Sequence, residues 1–308
     1  MRLDGIHHVT CITGDAQQNV DFYTRVMGLR LVAKSVNQDD PTVYHLFYSD
    51  ELGRPGSDIT FFEYPGAARG EDGAGMIHRI VWRVASPEAV DFWEQRLQTE
   101  GLDTERDGDR LRFADPEGLG HEVAPYDGPD EPRSAEHPEV PAEFALQGFD
   151  GVRAYSARPE QSGGLIERLM EGEARGDATW EISGPRRHGW IAYETPPGRG
   201  IPGAGTVHHV AWFSTNQDHA QWQERLAEAG VRVTPIIDRH YFHSIYYREP
   251  SGVLFEIADD GPGFTIDSPL EELGRNVILP PQFEPSRERI EAILTPLPDP
   301  RANWPARR

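Results

Sequence analysis

Cysteine and lysine are almost absent from this chain of 308 residues, which contains one cysteine, Cys11, and one lysine, Lys34. A single cysteine excludes an intrachain disulfide and a cysteine-based zinc site. No apolar run approaches the roughly 20 residues that span a membrane. The first strand-like segment begins within six residues of Met1, without a basic or apolar leader. We therefore expect a cytoplasmic protein that does not associate with membranes.

Positive charge is also scarce, because 51 acidic residues face 30 basic ones and give a formal net charge of −21. Such a charge argues against binding nucleic acid, whose phosphates would be repelled. Molar salt shortens the screening length to about 3 Å and makes this self-repulsion tolerable. The composition therefore favours a halophilic protein, with an ordinary acidic bacterial enzyme as the alternative. The charge predicts nothing about catalysis.

Two pairs of adjacent histidines stand out, His7-His8 and His208-His209, together with Glu256 in an apolar run. Each pair lies in a strand-like segment, GIHHVT or GTVHHVAW, where alternation lets one histidine face a cavity. Two imidazoles and one carboxylate leave open positions on a metal, as in non-haem Fe(II) oxygenases. The alternative is that the histidines pack within strands and the carboxylate faces water. The recurrence of the pair favours a metal site.

Repetition organises the chain, because segments near 5–64, 77–127, 146–195 and 206–259 each show a strand, a helix and then several strands. The second and fourth segments match best. GMIHRIVW parallels GTVHHVAW, and the helical stretches WEQRL and WQERL are each followed by a glycine that would end the helix. The sequence therefore predicts four copies of one module.

Connectors rich in proline, glycine or acidic residues separate the modules. The longest predicts a division into an N-terminal half, 1–130, a linker, 131–145, and a C-terminal half, 146–260. A tail, 261–308, follows and contains a predicted short helix at 285–294. We expect the tail to pack on the modules.

The repeats test the metal hypothesis, because a structural residue should recur in every module. Arg79 takes the place of His209 in the second module, and Gly151 takes the place of His8 in the third. Only the first and fourth modules keep the second histidine, so these two must face each other to form one site. Glu122 matches the metal-site glutamate and would be a remnant or an unrelated surface carboxylate.

Several motifs occur together along nearly the whole chain, namely GIHHVT at 5–10, YHLFY at 44–48, SIY at 244–246, GVLFE at 252–256 and GPGF at 261–264. As a set they resemble one family, the vicinal oxygen chelate superfamily. More narrowly, the sequence resembles ring-cleaving dioxygenases of the hydroquinone 1,2-dioxygenase type. The resemblance implies an α+β fold of four βαβββ modules, with paired, curled mixed sheets and helices outside.

By position, the resemblance implies that His8, His209 and Glu256 hold Fe(II), which Mn(II) can replace. Tyr246 and Arg239 would line the substrate pocket. Tyr246 would exchange a phenolic proton, and Arg239 would steady the developing oxyanion because guanidinium stays charged. The predicted enzyme is an oxidoreductase that inserts both atoms of O2 into a hydroquinone- or catechol-type aromatic diol.

The resemblance also implies that Thr10, His7 and His208 surround the metal ligands without binding the metal. Strand alternation, however, turns the two histidines away from the metal.

The position of Tyr246 depends on the turn before the ligand glutamate's strand. A four-residue turn places Tyr246 on the opposite face from the ligand, whereas an odd-length or bulged turn places it on the same face. The resemblance favours Tyr246, and Tyr247 is the alternative.

A second class of enzyme stays open, because glyoxalase-type isomerases and thiol transferases of this superfamily use a fourth ligand, commonly a second carboxylate. Glu63, in the strand-like stretch TFFEY, is the candidate. A fourth ligand would exclude oxygen and favour Ni(II) or Zn(II). A third alternative is a non-enzymatic small-molecule-binding protein without an essential metal. Curled sheets with free edges also favour a homodimer.

Overall fold

The computed structural model describes residues 1–304, which form two eight-stranded mixed sheets with α helices packed against them. The helices are α1 (Ala16–Asp21), α2 (Pro87–Thr99), α3 (Pro159–Leu169), α4 (Asn216–Glu228) and α5 (Arg287–Glu291), and a π-helical turn, Phe22–Val26, extends α1. The strands are β1 (Ile6–Thr13), β2 (Arg30–Asn37), β3 (Asp40–Ser49), β4 (Asp58–Glu63), β5 (Ile77–Val84), β6 (Thr104–Asp107), β7 (Arg110–Ala114), β8 (Gly120–Pro125), β9 (Phe149–Tyr155), β10 (Glu173–Gly176), β11 (Thr179–Ser183), β12 (His188–Glu194), β13 (Thr206–Phe213), β14 (Ile237–Asp238), β15 (His243–Arg248) and β16 (Leu254–Ala258).

The first sheet has the order β14-β15-β16-β13-β1-β4-β3-β2, and the second has the order β10-β11-β12-β9-β5-β8-β7-β6. The first sheet therefore joins the first and fourth modules, and the second sheet joins the second and third. The central pairs, β1 with β13 and β5 with β9, are antiparallel. This arrangement confirms the predicted α+β fold of curled, mixed sheets. It also brings together the two modules that keep the second histidine.

The helices follow from local signals. Ser86 caps α2 by accepting a hydrogen bond from the Ala89 backbone N–H, with a proline in the first turn. Trp93 and Leu97, four residues apart, are fully buried, because this spacing places them on the helix face that meets the sheet. In α4, Trp222 occupies the same place. No helix within residues 1–304 is long and apolar enough to cross a membrane.

The C-terminal tail lies along the edge strand β2 of the first sheet. The Ile278 backbone N–H donates to the Lys34 carbonyl oxygen at 2.8 Å. The buried Lys34 ammonium donates to the Leu297 carbonyl at 2.9 Å. In the tail, α5 falls inside the segment expected to be helical and buries Ile290 in the core. The end of the predicted tail, 305–308, lies outside the described residues.

Candidate metal centre and substrate cavity

Three buried side chains converge from three neighbouring strands of the first sheet: His8 from β1, His209 from β13 and Glu256 from β16. Their ligand atoms all lie within 4.8 Å of one another. The two Nε2 atoms are 3.3 Å apart, and Glu256 Oε2 lies 2.8 Å from His209 Nε2 and 3.2 Å from His8 Nε2. Two imidazoles and one carboxylate therefore point at a common centre.

The donor set fits a divalent metal ion. Glu256 Oε2 is buried and has no well-aligned hydrogen bond within residues 1–304, whereas Oε1 accepts one from the Ser244 hydroxyl. Burial opposes ionisation, but the neighbouring His8 and His209 hold the pKa of Glu256 well below its usual range. Burial lowers the pKa of His209. An ionised carboxylate beside neutral imidazoles is the protonation state in which all three groups offer lone pairs.

His7 fixes the orientation and tautomer of His8. His7 Nε2 lies 3.0 Å from the carbonyl oxygen of Asp259, and since a carbonyl only accepts, Nε2 carries the proton. His7 Nδ1 therefore accepts from the Nδ1–H of His8, 2.9 Å away. The lone pair of His8 Nε2 is then free for the metal, the arrangement that outer partners of metal-binding histidines impose.

His208 contacts the other ligand histidine in the same way, with 2.7 Å between its Nδ1 and the Nδ1 of His209. The side chain of His208 is exposed, in contrast to the buried ring of His7. Strand alternation predicts that His7 and His208 point away from the metal. The structure instead places each ring against the Nδ1 of a ligand histidine, and His208 also lines the cavity next to the triad.

Tyr246 lies on the ligands' side of the sheet. The connection between β15 and β16 has five residues, 249–253, and this odd length pairs Tyr246 directly with Glu256. Its ring meets that of His209 edge to face at 5.7 Å, and its hydroxyl accepts from Arg239 Nε at 3.2 Å. Burial, and then the charge of Glu256, raise the pKa of Tyr246, so its phenol is protonated at neutral pH.

Two sequence candidates are not brought to the triad. The hydroxyl of Tyr247 points into the core, 3.2 Å from the sulfur of Met170. The carboxylate of Glu63 accepts from the Ala16 backbone N–H at 3.3 Å and from the Thr295 hydroxyl at 2.9 Å. Within residues 1–304, no fourth metal-binding side chain joins His8, His209 and Glu256.

A cavity of about 330 Å³ opens beside the triad. This volume suits one small aromatic molecule, because ligand pockets begin at about 300 Å³. Its wall combines the two candidate ligand histidines, a hydrogen-bonded tyrosine and arginine, and aromatic rings. Among the lining residues are His8, Thr10, His45, Phe47, Phe62, His209, Arg239 and Tyr246.

Sequence reasoning missed three contributors to this site. Ser244 shares a strand face with Tyr246 and donates to Glu256. His45 lines the cavity from within YHLFY, a motif that by itself suggests no role for it. Period-two alternation could have found both, because each lies two residues from another cavity or ligand-side residue. Asp259 acts on His7 through its main-chain carbonyl, for which side-chain identity gives no signal.

Among the described residues, no metal ligands converge at the matching place in the second sheet. Glu122 pairs with Val81 of β5 just as Glu256 pairs with its counterpart in β13. Glu122 is fully buried, which excludes the surface-carboxylate alternative, and it forms ion pairs with Arg110 and Arg153. Burial opposes ionisation, but these two arginines lower the pKa of Glu122.

Comparison with known proteins gives the family. The model of the Glyoxalase/Bleomycin resistance protein/Dioxygenase superfamily matches residues 5–123 and 87–257. The chain belongs to this superfamily.

Relatives within the superfamily cover nearly the whole chain. "Putative ring-cleaving dioxygenase MhqO" of Bacillus subtilis is 40% identical over 301 residues, covering 95% of this chain and 96% of the relative. The chlorohydroquinone/hydroquinone 1,2-dioxygenase of Sphingobium indicum is 32% identical over 308 residues, covering 94% and 95%. The crystal structure of a "putative dioxygenase" from Bacillus subtilis superposes with a TM-score of 0.89 at 39% identity, covering 96% and 97%.

Proposed function

We propose that this protein is a metal-dependent, ring-cleaving dioxygenase that acts on a hydroquinone- or catechol-type diol. The observation that carries the proposal is the convergence of His8, His209 and Glu256 beside a cavity that also presents Tyr246 and Arg239. The names of relatives that match nearly the full chain support the same reaction class. A para-diol is the substrate we favour, because one such relative is named for hydroquinones.

His8, His209 and Glu256 would hold Fe(II), or Mn(II) in its place. Such an ion, when bound, lowers the pKa of a coordinated hydroxyl and supplies the electron transfer that reaction with dioxygen needs. The protein's part is to keep both Nε2 lone pairs and the carboxylate aimed at one point. His7 and Ser244 contribute by hydrogen bonds to a ligand ring and to the ligand carboxylate.

Tyr246 and Arg239 act on the substrate's oxygen atoms. Arg239 Nε donates to the Tyr246 oxygen, so the tyrosine's own proton is free to be donated to a ligand in the cavity. The raised pKa of Tyr246 keeps that proton in place until the substrate oxygen gains negative charge. The guanidinium lies 5.3 Å from the centre of the tyrosine ring and adds a fixed positive charge beside the developing oxyanion.

Thr10 belongs to the wall of this cavity, where its hydroxyl accepts from Thr60 at 2.8 Å.

The isomerase alternative requires a second carboxylate as a fourth ligand beside His8, His209 and Glu256. Glu63 is instead hydrogen-bonded to Ala16 and Thr295, so the contacts of its carboxylate do not support that alternative.

The test is oxygen consumption by protein reconstituted anaerobically with Fe(II) in high salt, against substituted hydroquinones and catechols. We expect uptake that tracks a ring-opened product and disappears in His209→Ala. The matched control is His137→Ala, which removes a histidine outside the cavity and should leave uptake unchanged. A protein that retains its iron but consumes no oxygen with any member of the panel would contradict the proposal.

A further inference from the structure

His45, on β3, is a cavity residue for which the proposed chemistry gives no role. In the sheet order β13-β1-β4-β3, its strand lies two positions beyond the strand of His8. Neighbouring strands are roughly 4.8 Å apart, and the curl of the sheet brings the His45 ring onto the same cavity as the triad. An aromatic ring placed at the triad therefore has His45 in the wall of its pocket.

The ring of His45 is held in one orientation. Its centroid lies 3.9 Å from that of Phe47 and 4.5 Å from that of Phe62, and its Nε2 lies 2.9 Å from the Thr60 hydroxyl. Thr60 donates its only hydroxyl proton to the Thr10 hydroxyl at 2.8 Å. His45 Nε2 must therefore carry a proton and donate to Thr60, which leaves Nδ1 with its lone pair.

His45 Nδ1 has no hydrogen-bond partner within residues 1–304, where Nε2 alone is bonded. Burial, and then the neighbouring His8 and His209, hold the pKa of His45 well below its usual value. The imidazole is therefore neutral at neutral pH, and Nδ1 acts as a hydrogen-bond acceptor.

Two other polar groups around the cavity already have partners. Asn37 Oδ1 accepts from the Asp39 backbone N–H, and His240 Nε2 lies 2.7 Å from the Asp267 carboxylate. An acceptor without a partner in a ligand cavity discriminates strongly, because a ligand that lacks the matching donor leaves it desolvated and unpaired.

We propose that His45 Nδ1 accepts the hydrogen bond of the substrate hydroxyl that lies across the ring from the hydroxyl at the metal ligands. A para-diol presents such a hydroxyl, whereas the two hydroxyls of a catechol are neighbours and leave His45 unpaired. His45 is thus a residue that selects the para-diol. This assignment rests on the proposed function and adds the residue that recognises the second hydroxyl.

The test is calorimetric binding to the Fe(II)-loaded protein without oxygen, which reads recognition independently of turnover. Hydroquinone offers a donor at the para position, and 4-methoxyphenol offers only an acceptor there. We expect hydroquinone to bind about tenfold more tightly, the effect of roughly one neutral hydrogen bond.

His45→Phe removes the acceptor while keeping a flat ring between Phe47 and Phe62, and should make the two affinities equal. His45→Asn keeps an oxygen acceptor near the position of Nδ1 and should restore part of the preference. Thr60→Val, a second route to the same conclusion, removes the group that fixes the tautomer and should also weaken the preference. His137→Phe is the matched control outside the cavity and should keep the full tenfold difference.

A preference for hydroquinone that survives in His45→Phe would overturn the role of His45 and leave the proposed function standing. Equal affinities of the unmodified protein for the two phenols would also overturn the role of His45 and leave the proposed function standing. Binding of neither phenol by the iron-loaded protein would overturn the proposed function as well. Loss of the preference in His45→Phe, with its retention in His137→Phe, would support the assignment.

Discussion

The two sheets have the same strand topology, yet within residues 1–304 only the first gathers candidate metal ligands. In the first sheet, Glu256 meets two imidazoles, whereas the corresponding Glu122 of the second sheet meets guanidinium groups. Arg79 stands where the first sheet has His209, and its guanidinium lies 3.8 Å from Glu122. A buried carboxylate requires positive charge nearby. A bound metal ion would supply that charge in the first sheet, whereas guanidinium groups supply it in the second.

The space of the ligand histidine is also closed in the second sheet. Gly151 takes the place of His8, and a Cβ built on it would lie 2.1 Å from the indole of Trp190. The guanidinium of Arg153 lies 5.3 Å from the centre of that indole ring. In the second sheet, arginine takes the place of one histidine, glycine takes the place of the other, and a tryptophan ring fills the remaining space. The place that borders a cavity in the first sheet is therefore packed and ion-paired in the second.

The largest difference between the two sheets should appear in metal affinity. Glu256→Gln removes the only anionic ligand, and we expect Mn(II) affinity to fall more than about 100-fold, beyond the usual cost of losing an outer partner. Glu122→Gln makes the same chemical change in the second sheet and should leave Mn(II) affinity unchanged. Equilibrium dialysis measures both. Equal losses in the two variants would place metal binding outside the triad.

A second comparison uses the histidines that precede the ligand positions. His208 contacts the Nδ1 of His209, and its counterpart His78 stacks on Tyr155 at 3.9 Å. We expect His208→Phe to weaken Mn(II) binding by about 10- to 100-fold, because the ligand ring loses its outer partner. His78→Phe should have no effect on the same titration. An unchanged affinity in His208→Phe would show that this contact does not orient the ligand.

The closed space of the second sheet can be tested by overpacking it. Gly151→His introduces a side chain against Trp190 and should lower the free energy of unfolding by about 2 kcal/mol without creating a metal site. Gly198→His is the control, because nothing lies within 4 Å of a Cβ built there and its φ is not positive. Urea denaturation measures both variants. Unchanged stability in Gly151→His would mean that the wall can rearrange.

The smallest effect concerns pH. Arg153 and Arg110 lower the pKa of Glu122 in the folded state, so its ionised form stabilises the fold at neutral pH. This stabilisation is fully present above the unfolded-state value of about 4.3 and is lost as the pH falls through the lower folded-state value. The stability difference between the unmodified protein and Glu122→Gln should therefore shrink below about pH 4. A difference that is constant from pH 7 to pH 3 would contradict this role.

Much of the fold could be predicted from the sequence, because the repeated segments indicate the order of strands and helix in each module. The absence of histidine at Arg79 and Gly151 already required the first and fourth modules to meet, and the sheet order pairs them. Alternation along strands was less informative at the site. It could not tell that His7 and His208 contact the ligand rings, because each lies at a shift in the pairing register of β1 with β13, where strict alternation of side chains fails.

Pairing register was the other limit, since the face of Tyr246 depended on one residue of turn length. The five-residue connection, 249–253, decided it, and no composition signal distinguishes that length from four. Contacts between distant parts of the sequence could not be predicted either. The hydrogen bond from Thr295 to Glu63 joins positions 232 residues apart, and nothing local in either segment indicates the other.

The pairing of the first module with the fourth also sets the order in which a growing chain can fold. In the second sheet, Arg83 and Asp150 are 67 residues apart, whereas His8 and His209 are separated by 201. Loop closure costs more for the wider separation, and synthesis completes the two inner modules before the fourth module. The second sheet can therefore form on the ribosome while β1 still lacks β13, one of its two partner strands. The triad is completed only after Glu256 has been synthesised, so a chain truncated before it would lack the candidate metal centre.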